Sequence, residues 1–317
     1  MKITLLEPLS ISKKYLDNFE KRINERGHEF VYYDQRTEDE QELINRIDDS
    51  EVIILTNIPL SQNILKECSE LKMISVAFTG VDHIDLETCR QQGIMVCNSS
   101  GYANQAVAEL TFGLMISLMR KIKQCDRAVR KGETKEGLIG NEIAGKKLGI
   151  IGTGEIGLKV AELGQAFGCD LLGYDRVERA EAQLYGLDYL KLEELVSESD
   201  IITVHLPLTE ETEKLIDEDK IKKFKSEAIF INAARGPIVD YEALAAALRD
   251  EKLAGAGIDV FYQEPPLDED NELLELSNTI LTPHIGFATQ EAFNKRAEIV
   301  FNNIFVWEKG ELQNKMI

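Results

Sequence analysis

The stretch KKLGIIGTGEIG, residues 146–157, decides the fold class of this 317-residue chain. An apolar, β-rich run leads directly into Gly152, Gly154 and Gly157, which have the spacing G-x-G-x-x-G. Between a strand and a helix, the first of these glycines permits a tight turn, the second lets the backbone approach a pyrophosphate, and the third allows close helix packing. Amide groups at the start of the helix then face the anion. The stretch therefore predicts a strand–turn–helix unit that binds a dinucleotide.

The residues that follow the glycines support this interpretation. A helix-like segment, EIGLKVAELGQAFG, precedes a second strand-like run, CDLLGYD, which ends at Asp175, and this acid stands 18 residues after Gly157. An acid near that position accepts hydrogen bonds from the ribose hydroxyls of NAD. A glycine-rich structural turn with a solvated Asp175 is the alternative. Asp175 predicts a preference for NAD over NADP, because it would repel a 2′-phosphate. Arg176 leaves the strictness of this preference open, because an arginine there also attracts that phosphate.

Short β-rich runs alternate with helix-like segments along both halves of the chain. The first series is KITLL, EFVYY, EVIIL, MISVAF and IMVC; the second is KLGIIG, CDLLGYD, DIITVHLPL, AIFINAARG, GAGIDV and NTILTPH. Strands that alternate with helices indicate a parallel sheet covered on both faces. The sequence therefore predicts an α/β fold with two doubly wound parallel sheets. Between the series, residues 100–131 predict one long helix, whose apolar residues on several faces indicate burial against another domain or subunit.

The composition excludes several classes of partner. A formal net charge of -20 at pH 7 and a pI near 4.7 argue against nucleic acid and anionic membranes, because phosphate binding rests on clustered lysine and arginine. Acidic stretches such as LTEETEKLIDED are most simply solvated faces and turns. Glu7 and Pro8 interrupt the N-terminal apolar run, and no run approaches the roughly 18 residues of a spanning helix. We therefore expect a cytoplasmic protein without a membrane partner.

The cysteines and histidines do not form a recognisable metal motif. The five cysteines contain no CxxC pair, which suits a reducing compartment. The four histidines are scattered and contain no HExxH. We therefore predict no metal site.

Three later strand-like runs end in residues that suit carboxylate binding and proton transfer. NAARG ends at Arg235, GIDVFYQEPP carries Asp259 and then Glu264, and TPHIG carries His284. Open α/β sheets bind ligands at the carboxyl ends of their strands. Arginine offers a fixed fork of donors to a carboxylate, and histidine exchanges a proton near neutral pH beside an acid that stabilises the imidazolium. Together these residues predict reduction of a 2-keto acid with a nicotinamide cofactor.

Each of these residues also has a purely structural interpretation. His284 alone would be an ordinary loop histidine, and Arg235 a surface charge. Glu264 would be a loop acid before two prolines, and Asp259 a turn or cap residue. The combination of all four at strand ends favours the catalytic interpretation.

Seven segments in order resemble the NAD-dependent D-2-hydroxyacid dehydrogenase family along nearly the whole chain. They are AFTGVDHIDL, ANQAVAEL, GTGEIG, HLPLT, INAARGPIVD, GAGIDVFYQEPP and TPHIGFAT. The resemblance implies a Rossmann cofactor domain, residues 100–288, inserted into a flavodoxin-like substrate domain formed by residues 1–99 and 289–317. It also implies a homodimer, because the long helix after Gly101 looks like the element by which relatives dimerise.

The resemblance implies a role for each residue of the substrate site. His284 is expected to protonate the keto oxygen as hydride arrives, with Glu264 as its partner. Arg235 is expected to grip the carboxylate and the keto oxygen. Thr79 and Gly80 occupy the loop whose backbone amides hold the substrate carboxylate in this family.

The resemblance also implies contacts to the cofactor beyond the three glycines and Asp175. The additional residues are Glu155 and Ile156 at the pyrophosphate turn, Leu206, Pro207 and Thr212 beside the adenosine and ribose, and Ala233 and Asp259 near the nicotinamide.

The expected substrate is a small, non-phosphorylated 2-keto or 2-hydroxy acid, such as hydroxypyruvate, glyoxylate or a short alkyl keto acid. Neither TNIPLS nor FTGVDHIDL contains a lysine or arginine that could pair with a phosphate. Phe287 departs from the small residue that many relatives carry in H-I-G-x-A-T, and it would narrow or reshape the pocket. An NAD-binding regulatory or partner-binding protein of the same fold is the alternative function.

Overall fold

The computed structural model describes residues 1–317, which divide into two compact units. Met1–Ala103 and Ala288–Ile317 form the first unit, and Asn104–Phe287 form the second. The sequence analysis predicted boundaries after residues 99 and 288. Because one unit interrupts the other, the first unit is built from both ends of the chain.

Twelve strands and eleven α-helices form the two units. The strands are β1 (Lys2–Leu5), β2 (Glu29–Tyr32), β3 (Val52–Leu55), β4 (Met73–Val76), β5 (Met95–Cys97), β6 (Lys147–Ile151), β7 (Asp170–Tyr174), β8 (Leu187–Tyr189), β9 (Ile201–Val204), β10 (Ile229–Asn232), β11 (Gly255–Ile258) and β12 (Thr279–Leu281). The helices are α1 (Lys13–Asn24), α2 (Glu40–Ile47), α3 (Gln62–Glu67), α4 (Leu86–Gln92), α5 (Asn104–Met119), α6 (Ile122–Arg130), α7 (Glu155–Ala166), α8 (Leu192–Glu198), α9 (Glu218–Ile221), α10 (Tyr241–Arg249) and α11 (Gln290–Trp307).

The first unit is a five-stranded parallel sheet in the order β2-β1-β3-β4-β5. This is the flavodoxin-like order of doubly wound folds. Strands β3 and β4 are buried throughout, as expected for strands covered on both faces. The C-terminal helix α11 belongs to this core: Phe301 stacks on Phe19 with ring centroids 4.1 Å apart, and Ser75 Oγ donates to the Val300 carbonyl at 3.0 Å.

The second unit is a seven-stranded parallel sheet in the order β12-β11-β10-β9-β6-β7-β8. The chain starts at β6, winds outward through β7 and β8, and returns to the other side of β6 through β9 to β12. The strand order therefore reverses beside β6, and open α/β sheets bind ligands at such a switch point. The glycine turn follows β6, and the candidate catalytic residues follow β10, β11 and β12.

The predicted long helix over residues 100–131 is wrong, because the structure breaks it into α5 and α6. Lys121 adopts a left-handed backbone with φ of 51°. The Met119 carbonyl accepts from Asn141 N at 2.8 Å, so this carbonyl is paired outside the helix and α5 ends there. The apolar faces of α5 pack on α7, β10 and β11 of its own unit. No helix in the structure is both long enough and apolar enough to span a membrane.

The second unit contains a partly buried histidine directly after β9, whose ring nitrogen Nδ1 is inaccessible to solvent. The Thr203 hydroxyl lies 2.9 Å from His205 Nε2, and His205 Nδ1 has no hydrogen-bond partner. Burial lowers the pKa of His205 to about 3, from an ordinary value of 6.5. Between these values the unfolded chain binds a proton that the folded chain does not. Folding stability therefore falls as the pH drops from about 6.5 toward 3.

We predict that His205→Gln flattens this acid-side loss of stability. The free energy of unfolding should fall less between pH 8 and pH 4.5 than in the parent, by roughly 2 kcal/mol, because the glutamine takes up no proton. Urea unfolding at both pH values measures the difference. His28→Gln, which removes a histidine paired with Glu308 in the first unit, is the control. An equal pH dependence in the parent and His205→Gln would contradict the prediction.

Candidate active site

The glycine turn lies between β6 and α7 and has the shape that its spacing predicts. Gly152 has φ of +95°, and a Cβ there would lie 2.6 Å from the His205 carbonyl oxygen. A Cβ on Gly157 would collide with the Gly152 carbonyl oxygen, so close packing of helix and strand requires glycine. A Cβ on Gly154, the N-cap of α7, would meet nothing within 4 Å. The helix N-terminus therefore faces open space, and the turn fits a pyrophosphate.

Asp175 follows β7, and its carboxylate is oriented by the glycine turn. Oδ2 accepts from Thr153 N at 2.7 Å and from Thr153 Oγ1 at 3.2 Å, while Oδ1 accepts from Arg176 N at 2.7 Å. A carboxylate offers about four acceptor positions, so capacity remains for a ribose hydroxyl. The acid and the glycine turn fit the adenosine half of NAD.

The side chain of Arg176 is engaged by a residue from another loop. Its Nη1 lies 2.9 Å from Glu211 Oε2, and both side chains are largely exposed. The acidic stretch LTEETE, interpreted above as a solvated surface, therefore supplies one specific partner.

The remaining cofactor candidates surround the turn or the end of β9. Leu206 packs against the turn, because its Cδ2 lies 2.9 Å from the place of a Cβ on Gly152. Thr212 Oγ1 donates to the Pro207 carbonyl at 2.7 Å and accepts from Thr209 N at 2.8 Å. This threonine therefore closes the loop that follows β9.

Two further candidates lie at the start of α7, and one lies beyond β10. Glu155 begins α7 and its Oε2 accepts from Asn104 Nδ2 at 2.7 Å; Ile156 follows it and is partly buried. Ala233, also partly buried, is the first residue after β10. The structure shows no side-chain hydrogen bond that gives Ile156 or Ala233 a role beyond their position.

His284 and Glu264 form a close ion pair beyond the ends of β11 and β12. His284 Nδ1 lies 3.0 Å from Glu264 Oε1, with the histidine side chain 24% exposed and the glutamate 49% exposed. The ring of Phe287 meets the imidazole edge-on, with centroids 5.4 Å apart at 82°. The imidazole is therefore oriented by a carboxylate at Nδ1 and by an aromatic ring at its side.

Asp259 holds the His284 loop against the end of β11. Its buried carboxylate accepts from Thr282 Oγ1 at 2.6 Å, from Ile285 N at 2.9 Å and from Gly286 N at 2.8 Å, and its carbonyl accepts from His284 N at 2.8 Å. Burial raises the pKa of Asp259, and these hydrogen bonds together with His284 oppose that rise. These contacts agree with the structural interpretation of Asp259 as a turn or cap residue, and its placement near the nicotinamide stays a prediction.

Arg235 is supported by two residues that the sequence analysis missed. Asn232, the last residue of β10, donates from Nδ2 to the Arg235 carbonyl at 3.0 Å and to Tyr241 Oη at 2.9 Å. Tyr241 Oη in turn donates to the Val260 carbonyl at 2.6 Å, and burial raises the Tyr241 pKa. A Cβ on Gly236 would collide with the Phe261 backbone, so the chain must pass closely here. A polar residue ending the apolar run AIFIN was the available sequence signal.

Thr79 and Gly80 belong to the first unit, in the loop after β4. Thr79 is exposed and Gly80 partly so. The Thr79 carbonyl accepts from Asn98 Nδ2 at 2.8 Å, and Asn98 follows the neighbouring strand β5. The loop is thus fixed to the next strand at the carboxyl edge of its own sheet.

The match to a family model agrees with this geometry. Residues 112–286 match the NAD-binding domain of the D-isomer specific 2-hydroxyacid dehydrogenases. The chain belongs to this family. It is accordingly an NAD-dependent oxidoreductase of 2-hydroxy acids, and the second unit is its NAD-binding domain.

Similar proteins include enzymes for two kinds of acid. A glyoxylate reductase of Thermococcus litoralis is 38% identical over 275 residues, covering 84% of this chain and 82% of the relative. A D-3-phosphoglycerate dehydrogenase of Methanocaldococcus jannaschii is 37% identical over 281 residues, covering 87% of this chain and 53% of the relative. The solved structure of a glyoxylate reductase from Paecilomyes thermophila superposes with a TM-score of 0.88 at 27% identity, covering 100% of this chain and 98% of that one.

We predict that Asp259→Asn destabilises the protein, because the amide nitrogen would face backbone N–H groups that now donate to an oxygen. The free energy of unfolding at pH 7 should fall by about 1–3 kcal/mol, the cost of an unsatisfied buried donor. Denaturant unfolding measures it. Asp268→Asn, in an exposed loop of the same unit, is the control and should have the same free energy of unfolding as the parent. Parental stability in Asp259→Asn would show that the carboxylate does not support the loop.

Proposed function

We propose that this enzyme reduces a small, non-phosphorylated 2-keto acid, such as glyoxylate or hydroxypyruvate, with NADH. The observation that carries the proposal is the His284–Glu264 pair, fixed by Asp259 at the ends of adjacent parallel strands. Arg235 follows the neighbouring strand β10. A proton donor, its acid partner and a carboxylate-binding cation thus follow three adjacent strands.

In the proposed reaction, NADH when bound supplies the hydride that adds to the keto carbon. His284 donates a proton to the keto oxygen, so the carbonyl becomes a hydroxyl. Because Nδ1 faces Glu264, this proton comes from Nε2. The carboxylate of Glu264 stabilises the imidazolium before the transfer and fixes the ring tautomer afterwards. In the direction of oxidation the neutral imidazole accepts the same proton.

Arg235 binds the carboxylate of the substrate in this proposal. Its guanidinium offers paired donors, which suit a planar carboxylate. The support from Asn232 and Tyr241 fixes the backbone from which this side chain extends. The role of the Thr79 and Gly80 backbone amides in substrate binding stays a prediction from the family resemblance.

The charges in the first unit argue against a phosphorylated substrate. Arg36 does reach the loop that contains TNIPLS, since its Nη1 donates to Asn57 Oδ1 at 2.7 Å. The same guanidinium, however, lies 2.6 Å from Glu7 and 2.7 Å from Glu38. Two carboxylates therefore outweigh the single positive charge of Arg36. The three groups together carry a net negative charge, whereas a phosphate would need a positive one. This separates the proposal from the phosphoglycerate dehydrogenase relative.

The proposal includes a cytoplasmic homodimer. Apolar side chains on and after α6, including Ile122, Val129 and Ile139, are exposed and would suit a subunit contact. The five free cysteines support a reducing compartment. The relatives described above are named as enzymes, which favours catalysis over the regulatory alternative.

We predict that His284→Ala lowers kcat by about 10²- to 10⁴-fold, the usual contribution of a positioned proton donor, with NADH binding retained. Glu264→Gln should lower kcat less than His284→Ala does, because it removes the charge that stabilises the imidazolium and keeps the proton donor. Steady-state kinetics and fluorescence titration with NADH measure both effects. Glu269→Gln, an exposed acid in the same loop region, is the control. Near-parental turnover in His284→Ala would remove the histidine from the mechanism.

We predict that Phe287→Ser shifts activity toward longer alkyl keto acids, because the phenyl ring beside His284 limits the space at the reacting carbon. The ratio of kcat/KM for 2-ketohexanoate to that for glyoxylate should rise by about 10-fold, the effect of a small change in an apolar pocket. An unchanged ratio would remove Phe287 from the pocket.

The proposed substrate class is tested with the parent enzyme. It should have a higher kcat/KM for glyoxylate or hydroxypyruvate than for 3-phosphohydroxypyruvate at equal ionic strength, with NADH as reductant. The reverse order would overturn the non-phosphorylated assignment and point to the phosphoglycerate type.

A further inference from the structure

We propose that Glu211 determines coenzyme choice by holding the Arg176 guanidinium, so that this cation does not serve a 2′-phosphate. The inference rests on the proposed function, since it concerns the coenzyme of the same site. Nothing in the acidic composition of LTEETE singles out Glu211. Glu211 is distinguished by its contact with Arg176: the Arg176 Nη1 lies 2.9 Å from it, although the two residues are 35 positions apart in sequence.

Other hydrogen bonds fix the backbone near both Arg176 and Glu211. Arg176 N donates to Asp175 Oδ1, and Asp175 is in turn tied to the glycine turn. On the other side, Thr212 N and Glu213 N donate to the Thr209 carbonyl at 3.1 and 3.0 Å. Glu211 lies inside this turn, directly before Thr212. The ion pair therefore joins two anchored loops, one after β7 and one after β9.

The position of the pair matters because a 2′-phosphate replaces the ribose hydroxyl that an acid at Asp175 binds. An arginine beside that acid can accommodate the phosphate if its guanidinium is available. Here the phosphate would meet two carboxylates, Asp175 and Glu211, and one guanidinium already shared with Glu211. NADPH binding must therefore displace an acid from Arg176, whereas NADH binding leaves the pair intact.

The expected effect is moderate, because the pair is largely exposed: Arg176 is 74% exposed and Glu211 72%. Exposed ion pairs are weak and are screened by salt. We therefore expect Glu211→Gln to tighten NADPH binding by about 3- to 5-fold at low salt and to change NADH binding less than about 2-fold. The difference should shrink at high salt.

The test is a set of direct binding titrations. Fluorescence titration gives Kd for NADH and NADPH, and competition gives Kd for 5′-AMP and 2′-AMP, in the parent, Glu211→Gln, Arg176→Gln and the double variant. Glu210→Gln is the matched control, because it removes the same charge one residue away without an ion pair in the structure. Glu211→Gln should tighten NADPH and 2′-AMP selectively, and Arg176→Gln should weaken both.

The double variant separates release of Arg176 from simple removal of a negative charge. If Glu211 acts through Arg176, its substitution should change NADPH binding less than about 2-fold in the Arg176→Gln background. Three results would overturn the proposal: an undiminished effect in that background, an equal effect of Glu210→Gln, or equal tightening of NADH and NADPH. These titrations need no keto acid. A wrong substrate assignment would leave them unchanged, whereas failure of the parent to bind NADH would instead contradict the proposed coenzyme.

Discussion

The hydrogen bonds of one buried carboxylate, Asp259, determine the geometry of the candidate active site. A carboxylate ion is an acceptor only, so it suits a place where several backbone N–H groups and a hydroxyl converge. Asp259 gathers donors from the loop that carries His284. Without such an acceptor, the amide of Gly286 would be left unpaired in a buried position. The candidate catalytic histidine thus takes its position from an acid that need not itself transfer a proton.

The parallel sheet explains why single residues far apart in sequence act together. Each of β10, β11 and β12 is paired with the next, so their carboxyl ends lie along one edge. The switch point beside β6 brings the glycine turn to this same edge. A cofactor at the turn and a substrate at these strand ends would therefore lie along one edge of the second unit's sheet. The candidate catalytic residues lie on loops, and the order of the strands in the sheet determines which of these loops are neighbours.

The sequence predicted the parallel sheets and the placing of the candidates at strand ends, since both follow from local pattern. The alternation of apolar runs with helix-like segments defines the fold class, and G-x-G-x-x-G has a local steric basis. The end of α5 before Lys121 was not predictable from the sequence. The Met119 carbonyl accepts a hydrogen bond from Asn141 N, and a contact between residues so far apart does not alter the pattern of apolar residues. The contact of Glu211 with Arg176 and the support from Tyr241 were missed for the same reason. They depend on which loops the sheet brings together.

The discontinuous first unit has a consequence for synthesis of the chain on the ribosome. Its sheet is complete once β5 has emerged, but α11, which covers Phe19 and Ser75, is translated only after the whole second unit. The contiguous second unit has its whole sheet before α11 appears. Domains fold as units as they emerge, so the later unit is able to fold while the earlier one still exposes an apolar face. Completion of the N-terminal half thus waits for the C-terminal helix, and chains that stop short of it are expected to be prone to aggregation.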